Sequence, residues 1–197
     1  MTRAASFDAE YYRRFYGDPA TRVSSAAAVR KLARFVSAYL TYLDVEVRTV
    51  LDLGCGLGHW KKPVLQAWPR ASYLGVEYSS HLCGKHGWTQ GSVVDFDPGR
   101  TFDLVICQGV MQYLDDRQAA RAIDNLGRLC DGALYLEALT KQDWEQNCDR
   151  SVTDGAVHLR TGAWYRKRLE RHFREAGGGV WLSRRADVVT FELEARP

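Results

Sequence analysis

The chain has 197 residues, of which 46% are apolar, and its 27 basic residues outnumber its 24 acidic residues by three. This length favours a single domain, which can bury about 70% of the surface that the unfolded chain exposes. No apolar stretch approaches the ~20 residues that a membrane-spanning helix requires, so a membrane protein of that kind is excluded. The first ten residues turn acidic and aromatic before any apolar run, unlike a signal peptide, and we expect a cytoplasmic protein.

Five cysteines are scattered along the chain, at positions 55, 83, 107, 130 and 148. Their number is odd, and they form neither a Cys-x-x-Cys pair nor a cluster with histidine. We therefore expect no disulfide framework and no metal site. A small buried thiol that fills space is the expected role of Cys55 and of Cys107.

Helical segments are predicted over residues 1–46. A short one carries four aromatic residues and ends at Gly17-Asp18-Pro19; the aromatic residues are Tyr11, Tyr12, Phe15 and Tyr16. A longer helix over 25–43 is indicated by apolar residues at helical spacing after the capping candidates Ser24 and Ser25. The aromatic residues either pack on the domain or fold over a bound ligand as a lid.

A glycine turn follows the first predicted strand, in the sequence Val-Leu-Asp-Leu-Gly-Cys-Gly-Leu-Gly-His-Trp from Val50 to Trp60. Glycines at 54, 56 and 58 let a ligand lie directly against the backbone. The spacing is not that of the dinucleotide fingerprint, and no phosphate-binding loop follows. The carboxylate of Asp52 would repel a pyrophosphate and attract an ammonium group. The predicted ligand is therefore an amino acid joined to a nucleoside, without phosphate.

Short apolar runs then alternate with helical patterns, which predicts a parallel sheet covered on both faces. The predicted strands are 48–53, 72–77, 91–94, 102–107 and 133–139. Glu77 ends the second strand at the offset where an acid can meet the hydroxyl pair of a ribose. Asp95 ends the third strand, where it could accept a hydrogen bond from an adenine amine. A helix with the apolar stripe Ala119, Ile123, Leu126 and Leu129 is predicted to begin at Asp115-Asp116.

The C-terminal part is predicted to contain one helix and two strands. The helix runs from Thr161 to Ala176, with Tyr165, Leu169 and Phe173 facing inward, and ends at Gly177–Gly179. The strands Val180–Ser183 and Val188–Ala195 are separated by four residues, too few for a crossover helix, so they must be antiparallel.

These segments resemble, in order and spacing, the motif series of the class I S-adenosylmethionine-dependent methyltransferases, from about residue 49 to residue 139. The resemblance implies a three-layer α/β/α, Rossmann-like fold with a seven-stranded, mostly parallel sheet and an antiparallel C-terminal strand. It also implies S-adenosylmethionine as cofactor, S-adenosylhomocysteine as product, and no metal. The implied cofactor residues are Asp52, Gly54, Cys55, Gly56 and Gly58 at the methionine end, Glu77 and Tyr78 at the ribose, Asp95 and Phe96 at the adenine, Gln108 beneath the sulfonium, and Tyr16 in the lid.

The methyl acceptor is the less determined part of the site. Where many small-molecule methyltransferases carry a histidine after the fourth strand, this chain has Gln112 and Tyr113. Candidate bases are Tyr113, Glu137 and His158. The polar segment 140–160 lacks periodicity and follows the fifth strand, so we expect it to be a loop that recognises the acceptor. The residues expected to take part there are Asp143, Trp144, Asp149, His158 and Arg160.

A single domain is expected over residues 1–197, with a core over 47–197 and a small-molecule acceptor. A nucleic acid is a weaker alternative: residues 160–185 hold eight basic and two acidic side chains, but a solvated helix face explains them as well. A methyltransferase of RNA or another macromolecule, a non-catalytic S-adenosylmethionine-binding protein and a dehydrogenase remain alternatives. No membrane partner is expected, and the protein is predicted to be a monomer or a homodimer.

Overall fold

The computed structural model describes residues 7–18 and 25–191, and within them a seven-stranded sheet has the order β3-β2-β1-β4-β5-β7-β6. Strand β7 is antiparallel to both of its neighbours, while the remaining strands are parallel to one another. The predicted mostly parallel sheet with an antiparallel C-terminal strand is confirmed. The strands are β1 (Thr49–Leu53), β2 (Ser72–Glu77), β3 (Thr89–Gln90), β4 (Phe102–Gln108), β5 (Cys130–Glu137), β6 (Phe173–Gly177) and β7 (Val180–Ser183).

Helices cover both faces of this sheet. They are α1 (Ala9–Tyr12), α2 (Ala26–Tyr42), α3 (Lys61–Ala67), α4 (Ser80–His86), α5 (Asp116–Leu129), α6 (Lys141–Gln146) and α7 (Gly162–Leu169). A π-helical turn, Arg13–Gly17, continues α1, and a 3₁₀ turn, Met111–Tyr113, follows β4. None of the helices in the described ranges is long and apolar enough to cross a membrane.

Alternate side chains of β1 enter two separate cores. Val50 packs with Leu40 of α2 and Val64 of α3 on one face of the sheet. Leu51 packs on the opposite face with Ile123 and other residues of α5. Each of these side chains is fully buried, which contributes about 1.5–3 kcal/mol per residue. The strand is therefore clamped from both sides, and its carboxyl end is held at one edge of the sheet.

The two longest helices begin where the sequence predicts. Ser25 caps α2 by accepting a hydrogen bond from the backbone N–H of Ala28 at 3.1 Å. Asp115 caps α5, and its side chain and that of Gln118 accept each other's backbone N–H groups in a capping box. The capping box at Asp115 fixes where the chain re-enters a helix after β4.

The predicted strand 91–94 is wrong. The third strand is the two-residue edge strand Thr89–Gln90, and the chain after Gly91 closes into a turn. The backbone N–H of Phe96 donates to the carbonyl of Ser92 at 2.8 Å, which prevents ladder pairing there. Val93 is nevertheless buried, because the turn packs on the core. Burial without sheet pairing explains why the apolar run resembled a strand.

The predicted helix over 161–176 is too long. Helix α7 ends at Leu169, and Phe173–Gly177 forms strand β6, which pairs with β7 through a glycine turn. Phe173 faces the core as predicted, but from a strand. An antiparallel pair does close the sheet, although the partner of Val180–Ser183 is β6 and not Val188–Ala195. Residues 188–191 form no strand, and 192–195 lie outside the described residues.

The segment 140–160 is more ordered than predicted. Thr140 and Asp143 form a capping box at the start of α6. The backbone N–H of Lys141 donates to the carbonyl of Arg160 at 2.8 Å, which brings the two ends of the segment together. The segment is therefore a closed excursion beside the carboxyl end of β5. In an open α/β sheet, ligands bind at this edge.

Candidate functional site

Two adjoining cavities open at the carboxyl edge of the sheet. The larger one, about 660 Å³, lies between the glycine turn and the segment 137–157. The smaller one, about 500 Å³, lies between that turn, the end of β2 and the aromatic residues of the N-terminal helices. Residues that line both cavities are Tyr16, Gly54, Gly56, Gln108, Gly109 and Tyr113.

The glycine turn is held in its shape by contacts that exclude side chains. Gly54 has φ +78°, and a Cβ there would lie 2.3 Å from Cγ2 of Val110. Gly58 has φ +71°, and a Cβ there would lie 2.6 Å from the indole of Trp88. The same indole donates from Nε1 to the carbonyl of Gly56 at 3.0 Å. The turn is thus enclosed between Val110, which follows β4, and Trp88, and its residues Gly54 and Gly56 line both cavities.

Asp52 stands at the end of β1 in the wall of the larger cavity, with a 2% exposed surface. The hydroxyl of Tyr73, on the neighbouring strand β2, donates a hydrogen bond to its carboxylate. Burial raises the pKa of Asp52 to about 7, and the Tyr73 hydrogen bond limits the rise. A buried carboxylate of this kind gains from a cationic ligand, since the cation would favour its ionised form.

Glu77 ends β2 in the wall of the smaller cavity and is the best-connected acid of the site. Its carboxylate accepts hydrogen bonds from the backbone N–H groups of Gly56 and Ser79, both at 2.9 Å. The hydroxyl of Tyr12 donates to Oε1 at 3.3 Å. The glycine turn, the end of β2 and the N-terminal helix therefore meet at this one side chain.

Glu137 ends β5 in the wall of the larger cavity and is oriented by a chain of hydrogen bonds. Trp60 Nε1 donates to Gln108 Oε1 at 2.7 Å, and Gln108 Nε2 donates to Glu137 Oε2 at 3.1 Å. The hydroxyl of Tyr135 donates to the same carboxylate oxygen at 3.1 Å. Because Trp60 can only donate, it fixes the amide of Gln108 with its NH₂ group toward Glu137.

Tyr113 and Gln112 form the boundary between the cavities. The hydroxyls of Tyr113 and Tyr11 lie 2.7 Å apart. Burial raises the pKa of Tyr113 well above its usual value, and the charge of nearby Asp154 adds to the rise. The phenol therefore stays protonated at neutral pH and acts as a hydrogen-bond donor. Gln112 Nε2 donates to the carbonyl of Gly109 at 2.9 Å.

Most of the sequence-predicted residues converge on the two cavities. Three predicted cofactor residues do not line them. Asp95 is exposed, Phe96 packs against the core beside Gly91, and Gly58 lies against the indole of Trp88. The residues that do line the site are Tyr16, Asp52, Gly54, Cys55, Gly56, Glu77, Tyr78, Gln108, Tyr113, Glu137 and His158.

The residues predicted to recognise an acceptor are divided by the structure. Asp143 and Asp149 line the larger cavity, whereas His158 lines the smaller one. Trp144 lies outside both walls. Arg160 is 5% exposed and bonds to Asp116 and to backbone carbonyls, so its expected role in acceptor recognition is wrong: it holds the end of the segment to the domain.

Sequence reasoning missed three aromatic residues that shape the site. Trp60 orients Gln108, Tyr73 bonds Asp52, and Trp88 supports the glycine turn. Each acts across elements that are distant in sequence, so no local motif marks it. The only available signal was an aromatic residue near each motif.

Comparison with known proteins agrees with this geometry. Residues 51–132 match the family model described as a methyltransferase domain. A trans-aconitate 2-methyltransferase from Azoarcus sp. (strain BH72) is 31% identical over 78 residues, which are 36% of this chain and 31% of that protein. Its counterpart from Deinococcus radiodurans is 33% identical over 85 residues, which are 39% of this chain and 33% of that protein. The match thus spans about a third of each relative.

Solved structures share the fold over most of the chain. An amino pentose methyltransferase from Micromonospora echinaspora, bound to S-adenosylmethionine, aligns with a TM-score of 0.64 at 14% identity, covering 93% of this chain and all (100%) of that one. A magnesium protoporphyrin IX methyltransferase from Synechocystis PCC 6803 aligns with a TM-score of 0.58 at 21% identity, covering 85% and 81% of the two chains.

The sheet order, the glycine turn and the acids after β1 and β2 define an α/β protein of the Rossmann-like methyltransferase type. The family match covers this same region, from β1 into β5. The comparisons thus support a class I S-adenosylmethionine-dependent methyltransferase, to whose methyltransferase domain residues 51–132 are similar.

Proposed function

We propose that this protein transfers a methyl group from S-adenosylmethionine to a small-molecule acceptor. The observation that carries the proposal is the pair of adjoining cavities at the sheet edge, which share the glycine turn and Tyr113. One cavity suits the nucleoside part of a cofactor, and the other leaves room for its amino-acid end and an acceptor.

The residues present fit such a cofactor. Glu77 would serve the ribose hydroxyls from the smaller cavity, and Asp52 would face the ammonium group of the methionine end. Asp52 lines the larger cavity and Glu77 lines the smaller one, and Gly54 and Gly56 line both. A side chain at Gly54 would fill this cradle, since its Cβ would already meet Val110. The adenine contacts proposed for Asp95 pass instead to the turn 91–94, which lines the smaller cavity.

When bound, the cofactor supplies an electrophilic methyl group. The task of the protein is then to exclude water and to align an acceptor lone pair with that methyl carbon. Glu137 is the favoured proton acceptor, because it lines the acceptor side and two donors orient it. Tyr113 would donate a hydrogen bond, as its raised pKa keeps the phenol protonated. His158, the third candidate base, would accept a proton from the smaller cavity, where the nucleoside part of the cofactor is proposed to lie.

A small acceptor is favoured over RNA because four of the eight basic residues in 160–185 are engaged in ion pairs. Arg160 pairs with Asp116 at 2.7 Å and Arg166 with Glu175 at 3.2 Å. Two further pairs join Arg171 to Asp124 at 2.8 Å and Arg185 to Asp131 at 2.6 Å. These pairs remove much of the charge that would attract a phosphate backbone.

Two measurements test the proposal. Calorimetry should detect binding of S-adenosylhomocysteine and none of a nicotinamide dinucleotide, because Asp52 repels a pyrophosphate. Tritium from methyl-labelled S-adenosylmethionine should then appear in a low-molecular-weight product when metabolite fractions are supplied. Label found only in RNA would refute the small-molecule acceptor. A lack of S-adenosylhomocysteine binding would refute the methyltransferase activity itself.

A further inference from the structure

The wall of the larger cavity carries acidic side chains and no lysine or arginine among its described residues. The imidazole of His59 is the only basic group there. Burial lowers the pKa of His59, and Arg30 lowers it further, so this ring is uncharged at neutral pH. The acids in the wall are Asp52, Glu137, Asp143, Asp149 and Asp154.

No lysine or arginine of the described residues neutralises these acids, although Asp52, whose pKa burial raises to about 7, is itself only partly ionised at neutral pH. Within residues 7–18 and 25–191, no lysine or arginine forms a salt bridge with any of them. Asp143 and Asp149 take part in local hydrogen bonds with Thr140 and Ser151, which lower their pKa values. Their carboxylates are ionised and leave a negative potential across the cavity.

A separate observation concerns Gln112, whose side chain lines the same cavity and is nine-tenths buried, with 8% exposed. Its Nε2 atom is bonded to the carbonyl of Gly109, but its Oε1 atom has no hydrogen-bond donor among the described residues. An unmet buried acceptor is unfavourable, because it has lost its hydrogen bonds to water and gained none in the protein. A ligand that brings an N–H group into the cavity would satisfy it.

We propose that the methyl acceptor is a small-molecule amine, which enters the larger cavity as an ammonium ion and is held by Gln112 Oε1, Glu137 and Asp154. This inference rests on the proposed methyltransferase function and names its substrate class. A carboxylate or phosphate acceptor would meet several carboxylates of like charge in this wall and no lysine or arginine among its described residues. The curated relatives named above as trans-aconitate methyltransferases match this chain only over part of its length, and no polycarboxylate site is present in this wall.

Methyl transfer to such an amine needs only the cofactor and a carboxylate that accepts one proton. The bound ammonium ion first loses one proton to a wall carboxylate, such as Glu137, and becomes a neutral amine. The nitrogen lone pair then forms the new N–CH₃ bond as the C–S bond breaks, and the electrons of that bond remain on sulfur. The sulfonium charge is lost and the methylated nitrogen becomes cationic. The positive charge therefore passes from the sulfur to the acceptor nitrogen, and the proposed carboxylate partners of that nitrogen stay the same.

The first test measures binding in protein saturated with S-adenosylhomocysteine. Matched pairs of compounds with one carbon skeleton and either an ammonium or a carboxylate group are titrated by calorimetry. We expect the ammonium member to bind at least about tenfold more tightly in most pairs, as expected for opposite charges in a partly enclosed cavity. The same compounds are then supplied with labelled S-adenosylmethionine, and the linkage of the new methyl group is read by mass spectrometry.

Two variants separate this role from general surface charge. Asp154→Asn and Glu137→Gln should each raise the KM or Kd for an amine by about tenfold. Glu145→Gln is the matched control, because Glu145 is exposed on α6 and lines neither cavity. Gln112→Leu, which nearly keeps the size of the side chain, should lower the affinity for the amine several-fold. S-adenosylhomocysteine affinity should stay within about twofold of the wild type in Asp154→Asn, Glu145→Gln and Gln112→Leu.

The outcomes are distinct. A preference for the ammonium members and transfer to nitrogen would support the proposal. Equal or stronger binding of the carboxylate members, or transfer only to oxygen, would overturn it while leaving the methyltransferase function intact. Amine affinity that changes as little in Asp154→Asn and Glu137→Gln as in Glu145→Gln would also overturn it. Failure to bind S-adenosylhomocysteine would overturn both.

Discussion

The hydroxyl of Tyr12 donates to the carboxylate of Glu77 across 3.3 Å, so the N-terminal helix meets the sheet at the acid proposed to serve the ribose. Tyr11 makes a second such link, through its hydroxyl contact with Tyr113. The two tyrosines are adjacent on one helix, and each contacts a different residue in the wall of the smaller cavity. The aromatic segment therefore lines the smaller cavity, where a lid over a bound nucleoside stays a prediction of the sequence.

Glu77→Ala should weaken binding of S-adenosylhomocysteine by about 1.5–3 kcal/mol, because a charge-assisted contact is lost. Calorimetry at constant pH measures this. The variant also removes the acceptor for the N–H groups of Gly56 and Ser79, so its melting temperature must be measured beside that of Glu145→Ala. Unchanged affinity in a folded Glu77→Ala variant would disprove the assignment of Glu77.

Asp52→Asn should weaken the binding of S-adenosylhomocysteine more than the binding of the nucleoside that lacks the amino acid. The reason is that the Asp52 carboxylate is proposed to face the ammonium end. Wild-type affinity should also rise between pH 6 and 8, as Asp52 with its pKa of about 7 becomes ionised. The Asn variant should lack this dependence. Calorimetry over that range decides the point, and equal losses for both ligands would indicate a purely structural role.

The stability of the free protein should depend on pH through the same group. The unfolded pKa of an aspartate is near 4, whereas burial raises that of Asp52 to about 7. Between these values the folded protein binds a proton that the unfolded chain does not. The free energy of unfolding therefore falls as pH rises from about 4 to 7. Urea titrations should show a smaller fall for Asp52→Asn, and identical pH profiles would contradict this assignment.

Gly58→Ala should be more destabilising than Gly87→Ala, although the two glycines have nearly the same φ, +71° and +70°. A left-handed alanine costs about 1–2 kcal/mol at either site. A Cβ at Gly58 must also displace the indole of Trp88, whereas a Cβ at Gly87 meets nothing within 4 Å. Chemical denaturation compares the pair, and only Gly58→Ala should also lower S-adenosylhomocysteine affinity. Equal effects would show that Trp88 does not support the turn.

Trp144→Ala should reduce methyl transfer while S-adenosylhomocysteine affinity stays within about 0.5 kcal/mol. Trp144 lies outside the cavity walls but packs between the guanidinium of Arg150, 5.5 Å from its ring, and Gly155. It would thus position the wall residues of the segment 140–160. Trp144→Phe should restore most of the activity. If cofactor affinity falls by the same factor as turnover, the segment is not a separate acceptor site.

Sequence reasoning succeeded where local rules and long-range packing coincide. The glycine turn, the acids at the ends of β1 and β2 and the helices capped by Ser25 and Asp115 follow from neighbouring residues alone. It failed where tertiary contacts reversed a local pattern. Val93 is buried in a turn, and Phe173 is buried from a strand, so an inward-facing apolar residue was right at both positions while the backbone type was wrong.

The candidate site shows the same division. The residues contributed by strand ends were found because parallel strands bring their carboxyl ends to one edge. Asp95 was misplaced because its strand ends early and the chain turns away from the cavity. The supporting aromatic residues Trp60 and Trp88 were missed because each bonds to a residue at least 32 positions away. Their contacts arise only once the sheet has formed.

Trp88 also bears on how this family can vary. Its ring lies where a Cβ at Gly75, in the middle of β2, would come within 2.7 Å of it. Gly75 is on an ordinary extended strand, so its lack of a side chain is explained by this neighbour and by Sγ of Cys55, which a Cβ would approach to 3.1 Å. Homologues with a smaller residue in place of Trp88 should be free to carry alanine or serine at this point of β2. The two positions are therefore expected to change together during evolution.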